Sequence, residues 1–171
     1  MEKDQNPWSF VVALEDIPEI GQHIELEAPE QARADLAKLA GLRDLPRLSA
    51  VFDLTLRGSG VHIAGQVTAR VGQTCVVTLE PIENDLTEAI DLMYTSAAAP
   101  PAKDLKLHEE PPEMLVEGTI DLGAVATEFL LLGIDPYPRK AGAEFAPVKA
   151  DDGGGHPFAG LEALKKRLGN S

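Results

Sequence analysis

The chain has 171 residues, 44% of them apolar, which suits one domain of ordinary size plus a tail and leaves little room for two full domains. Its 28 acidic and 15 basic residues leave a net charge of -13, which excludes a broad basic surface for nucleic acid and favours basic protein or peptide partners. No run approaches the roughly 18 apolar residues of a membrane span, the start MEKDQNPW lacks the apolar run of a signal, and the single cysteine forms no internal disulfide, so a cytoplasmic protein is expected.

Residues Trp8 to Leu14 (WSFVVAL) are aromatic and β-branched, as a strand requires, and Asp16, Pro18 and Gly21 end the run. From Pro29 the period becomes helical: Ala32, Leu36, Leu39 and Ala40 form a stripe that Gly41 stops. Leu48 to Arg57 and Val61 to Val71 alternate as strands around Gly58-Ser59-Gly60, whose glycines suit a tight hairpin. A third run, Thr74 to Leu79 (TCVVTL), and a fourth, Leu86 to Tyr94, extend the pattern to an antiparallel meander of at least four strands.

Residues 96–113 hold four prolines and few apolar side chains, the composition of a mobile loop. Order returns at Met114 to Val116, and Asp121 then suits the cap of a helix striped by Leu122, Val125, Ala126, Phe129 and Leu132, with Gly133 and Pro136 at its end. Residues 149–157, with Asp151 to Gly155 reading DDGGG, form a linker by composition. Beyond it, residues 158–171 are predicted as an amphipathic helix with Phe158, Leu161, Leu164 and Leu168 opposite Lys165, Lys166 and Arg167. The expectation is an α+β fold: residues 1–148 form one domain, a curved antiparallel sheet with two packed helices, and the third helix follows the linker. The pattern leaves barrel closure open.

Catalytic chemistry finds little support. Cys75 lies in an apolar run, where a thiol acts as a small buried hydrophobe, and Ser59 lacks the strand-turn-helix setting of a nucleophile elbow. His23, His62, His108 and His156 are scattered singly, without the partners of a zinc set. Asp121 and Glu128 lie about 10 Å apart along a helix axis, against the roughly 5 Å of a retaining glycosidase pair. No catalytic residue, metal ligand or cofactor site is expected. The last helix is the one binding feature. It either docks on its own domain or presents Phe158, Leu161 and Leu164 to a partner's groove, with Lys165, Lys166 and Arg167 at hand for a phosphate.

The run GQTCVVTLEPIENDLTE, then EGTIDLGAVATEFLLLGIDPYPRK, then HPFAGLEALKK resembles the YceD family of large ribosomal RNA subunit accumulation proteins. The resemblance rests on Cys75, Leu79, Glu80 and Pro81 and on Asp121, Leu122, Gly123 and Glu128. It implies a non-enzymatic role in 23S ribosomal RNA accumulation and large-subunit assembly, with ribosomal or other basic proteins as partners and direct RNA contact left open. Many relatives carry C-x-x-C where this chain has Cys75-Val76-Val77-Thr78, so zinc binding is not carried over. The rival expectation is an adaptor, unrelated to ribosomes, that recruits a partner through its C-terminal helix.

Overall fold

The computed structural model describes residues 6–96, 113–115 and 117–145. The proline-rich segment, the linker and the last helix therefore lie outside the described residues, apart from the segment's two end residues, Ser96 and Glu113. The elements run β1 (Val11–Ala13), a 3₁₀ turn (Leu14–Asp16), β2 (Gln22–Glu27), α1 (Glu30–Leu39), β3 (Asp44–Arg57) and β4 (Gly60–Thr74). Then come β5 (Pro81–Thr95), β6 (Glu113–Met114), β7 (Thr119–Asp121) and α2 (Leu122–Gly133).

The fold is α+β. Five strands lie in the order β2-β3-β4-β5-β6, and β1 pairs with β7 in a separate ribbon. The sheet does not close into a barrel: β2 and β6 stand at its two edges. Nor is it wholly antiparallel, because β6 runs parallel to the end of β5, with Glu113 beside Tyr94. Strand β2 has no counterpart in the sequence-based expectation. Its apolar positions, Ile24 and Leu26, are only half-buried and sit among charged neighbours, so little hydrophobic signal marks it.

Long strands β3, β4 and β5 form the frame. At the first turn Arg57 pairs with Gly60, and Gly58 takes a φ of +58°, a value a side chain disfavours. The second junction overturns a sequence-based expectation. TCVVTL is not a strand: β4 ends at Thr74, which pairs directly with Pro81, so Cys75 to Glu80 form the connecting turn. Alternation failed there because the segment's hydrogen bonds close within the turn itself and reach the chain beyond α2 instead of joining a ladder.

One sheet face carries the core. Leu48, Phe52 and Leu54 of β3, with Val61, Ile63 and Val67 of β4, pack against Leu36 of α1 and Leu122, Ala126 and Leu130 of α2 in one cluster. Gly65 interrupts this stripe because a Cβ there would run into the carbonyl of Val51 and crowd the Phe52 ring. Both helical stripes depart from expectation at one residue. Leu39 and Leu132 are exposed, while Ala37 and Leu130 take the buried positions.

Candidate functional site

The turn from Cys75 to Glu80 begins with a residue whose side chain is fully buried. The N–H of Leu79 donates to the carbonyl of Cys75 at 2.9 Å, and the N–H of Cys75 donates to the carbonyl of Glu80 at 2.9 Å. This winding leaves Leu79 at a φ of +60° with 77% of its surface in water. The N–H of Thr78 lies 3.4 Å from the Cys75 sulfur and that of Lys140 lies 3.3 Å from it. Those donors favour the charged form: the N–H of Lys140 first, then the hydroxyl and N–H of Thr78, bring the thiol down to about 6.

The same turn grips the chain after α2. Val76 N–H donates to the carbonyl of Pro138 at 2.9 Å, and the Lys140 ammonium reaches Glu80 at 2.9 Å. That ammonium, followed by Thr78, holds the Glu80 carboxyl below its ordinary value, and Glu80 in turn raises Lys140. Gln73 extends the clasp by donating to the carbonyl of Asp135 at 2.8 Å, and Asn84 donates to Gln73 at 3.3 Å.

A second cluster forms at the start of α2. Asp121 caps the helix, accepting from the N–H of Ala124 at 3.1 Å, and also accepts from the N–H of Phe10 at 2.8 Å and the Ser9 hydroxyl at 2.6 Å. Leu122 is fully buried, and at Gly123 a Cβ would stand 2.5 Å from the carbonyl oxygen of Trp8. Glycine is required there because the N-terminal segment crosses the helix at contact distance. Glu128, one and a half turns later, is exposed. Of the residues singled out in the sequence, Cys75 and Glu80 at the turn and Asp121 and Gly123 at the helix start meet neighbouring chain, whereas Glu128 stands exposed.

Among the described residues, nothing covers the sheet face away from the helices. Its register sets His23, Asp53, Ala64 and Asp91 side by side across four strands. His23 lies 2.7 Å from Asp53 and 3.4 Å from Glu25, and His62 lies 2.6 Å from Asp91. Asp53, then Glu25, raises His23 above its ordinary value. Glu25, Glu27, Asp53, Glu83, Asp85 and Asp91 share this face with Arg47, Arg57 and Arg70, and Arg70 is already paired to Glu83 at 2.8 Å. Ser49, Val51, Ala64, Gln66, Thr68 and Ala89 line its middle. No three His, Cys, Asp or Glu converge as a metal-holding group among the described residues. No described helix is long and apolar enough to cross a membrane.

A family model described as large ribosomal RNA subunit accumulation protein YceD matches residues 63–165. The chain belongs to the YceD family. No curated protein and no solved structure matches it. The YceD match takes in β4 from residue 63, β5, the Cys75 clasp and α2, and runs on through the segment containing Phe158, Leu161, Leu164 and Lys165. Those four residues, with Lys166 and Arg167, lie outside the described residues.

Lys140 and the acidic sheet face are the features that sequence patterns did not single out. Lys140 meets Cys75 across 65 positions of chain, and nothing local marks that pairing. The acidic face did leave a trace, since Asp53 and Asp91 occupy outward positions of predicted strands.

Proposed function

We propose that this chain supports accumulation of 23S ribosomal RNA as a non-catalytic assembly factor for the large ribosomal subunit, and that the open acidic sheet face holds a basic ribosomal protein. Membership of the YceD family carries the ribosomal part of this reading. The choice of a protein partner rests on charge. A net charge of -13 repels a phosphate backbone, whereas Glu25, Glu27, Asp53, Asp85 and Asp91 offer carboxylates to lysine and arginine side chains on one sheet face.

Depletion is expected to lower mature 23S relative to 16S RNA and to leave abnormal large-subunit precursors in a sucrose gradient. Re-expression of the chain carrying Asp53→Lys and Asp91→Lys, which are exposed and leave the core intact, is expected to restore neither. An unchanged ribosome profile on depletion overturns the ribosomal role. Full rescue by the double variant overturns the assignment of the face.

A further inference from the structure

Two leucines that helical spacing assigns to the core stand in water instead. Leu39, at the end of α1, is 64% exposed, and Leu132, near the end of α2, is 73% exposed. They line one cavity of about 700 Å³, whose apolar wall continues through Leu131, Ala124 and Pro7 and which also meets the exposed carboxylate of Glu128. We propose that this groove is the docking site of the chain's own C-terminal segment, Pro157 to Leu168, seated as a third helix.

Pattern, length and charge each select that occupant. Phe158, Leu161, Leu164 and Leu168 make an apolar stripe that needs a cover, and Leu39, Leu131 and Leu132 make an apolar wall that lacks one among the described residues. At about 1.5 Å per residue, Phe158 to Leu168 would span about 15 Å as a helix, against about 12 Å from Ala124 to Leu132. The described chain stops at Phe145, and the residues from there to Pro157 reach up to about 40 Å when extended, more than twice the roughly 18 Å length of α2. The segment can therefore turn back along α2.

Lys165, Lys166 and Arg167 bring positive charge to a body that is strongly negative and to a groove that carries Glu128. A tether of this length also presents the segment at an effective concentration on the order of millimolar, which a free partner seldom matches. The YceD match likewise extends beyond α2 into this segment, as far as residue 165. With the groove filled, Leu39 and Leu132 become core positions of a helical layer, and both stripes read consistently.

Hydrogen exchange on the full chain tests the proposal, with Leu132→Asp in the groove and Leu164→Asp in the segment as separate variants. Amides of residues 158–168 are expected to exchange at least roughly tenfold more slowly than free chain. Each variant is expected to abolish that protection while β3 to β5 exchange as before. Protection must also be independent of protein concentration and accompany a monomer in sedimentation. An unprotected segment overturns the proposal, as does protection that survives Leu132→Asp. Protection that appears only with dimer formation assigns the groove to a second copy and overturns it too. Should Leu132→Asp unfold the body, Leu164→Asp decides alone: it must release the segment and speed exchange at Leu131 and Leu132.

Discussion

β3 and β4 are joined by Gly58 and Ser59 alone, whereas β4 and β5 are joined by the six residues from Cys75 to Glu80. The first turn is a local solution: a glycine supplies the left-handed φ, and a Cβ placed on it would touch nothing. The second contains no glycine and still places Leu79 at a φ of +60°. Beside its own bonds between Cys75, Thr78, Leu79 and Glu80, it is held from elsewhere by the carbonyl of Pro138, the N–H of Lys140 and the Lys140 ammonium. Backbone chemistry shapes one turn, and tertiary contacts impose the other, so the second ties the sheet to the chain leaving α2.

The largest expected effect tests that dependence at its centre. Cys75→Ala removes a fully buried sulfur and leaves the N–H groups of Thr78 and Lys140 without their acceptor, so it is expected to lower the denaturation midpoint more than any other change in either turn. It also has a pH signature. A folded-state thiol at about 6, below its ordinary value near 8.5, contributes stability that is full above the ordinary value and is lost as pH falls through the folded one. His23, raised by Asp53, acts with the opposite sign, since its contribution is full below its ordinary value and fades as pH rises. The informative quantity is therefore the difference between wild type and Cys75→Ala in chemical denaturation. That difference is expected to widen from pH 6 to pH 9, and a constant gap would show that the sulfur is not charged in the fold.

A pair of substitutions of intermediate size exchanges the chemistry of the two turns. Gly58→Leu forces a side chain into the left-handed region and is expected to cost about 1–2 kcal/mol. Leu79→Gly relieves the same strain in a residue that buries little surface, and it is expected to stabilise by up to about 1 kcal/mol, because the freedom glycine adds to the unfolded chain offsets part of the gain. Opposite signs in urea denaturation are the required outcome. Destabilisation by both would mean that Leu79 makes a contact the fold depends on.

The contrast also explains what the sequence could show. The β3–β4 hairpin was legible because alternation and a glycine pair are both local signals, and α1 and α2 were legible by period. TCVVTL misled because an apolar β-branched run fits a strand as well as a turn packed beneath distant chain, and only Pro138 to Lys140 decide between them. Strand β2 carried too little apolar character to register. Of the residues singled out in the sequence, Asp121 and Gly123 could be read alone because capping and close approach constrain residue type. Cys75 could not be, since its donors are Thr78, in a turn that the local pattern does not specify, and Lys140, 65 positions along the chain.

The smallest expected effect separates the two ways in which Lys140 holds the turn. Its N–H points at a buried sulfur, but its ammonium meets Glu80 where both side chains are about half-exposed, at 52% each. Exposed ion pairs are screened by salt and offset by the side-chain entropy lost in making them. Lys140→Ala keeps the backbone N–H and removes only the ammonium, so its midpoint is expected to match wild type at moderate salt and to fall slightly below it at low salt. Lys140→Pro keeps neither the ammonium nor the N–H and is expected to approach Cys75→Ala. If Lys140→Ala alone destabilised as much as Lys140→Pro, the ion pair rather than the N–H to sulfur contact would be what fastens the β4–β5 turn to the chain beyond α2.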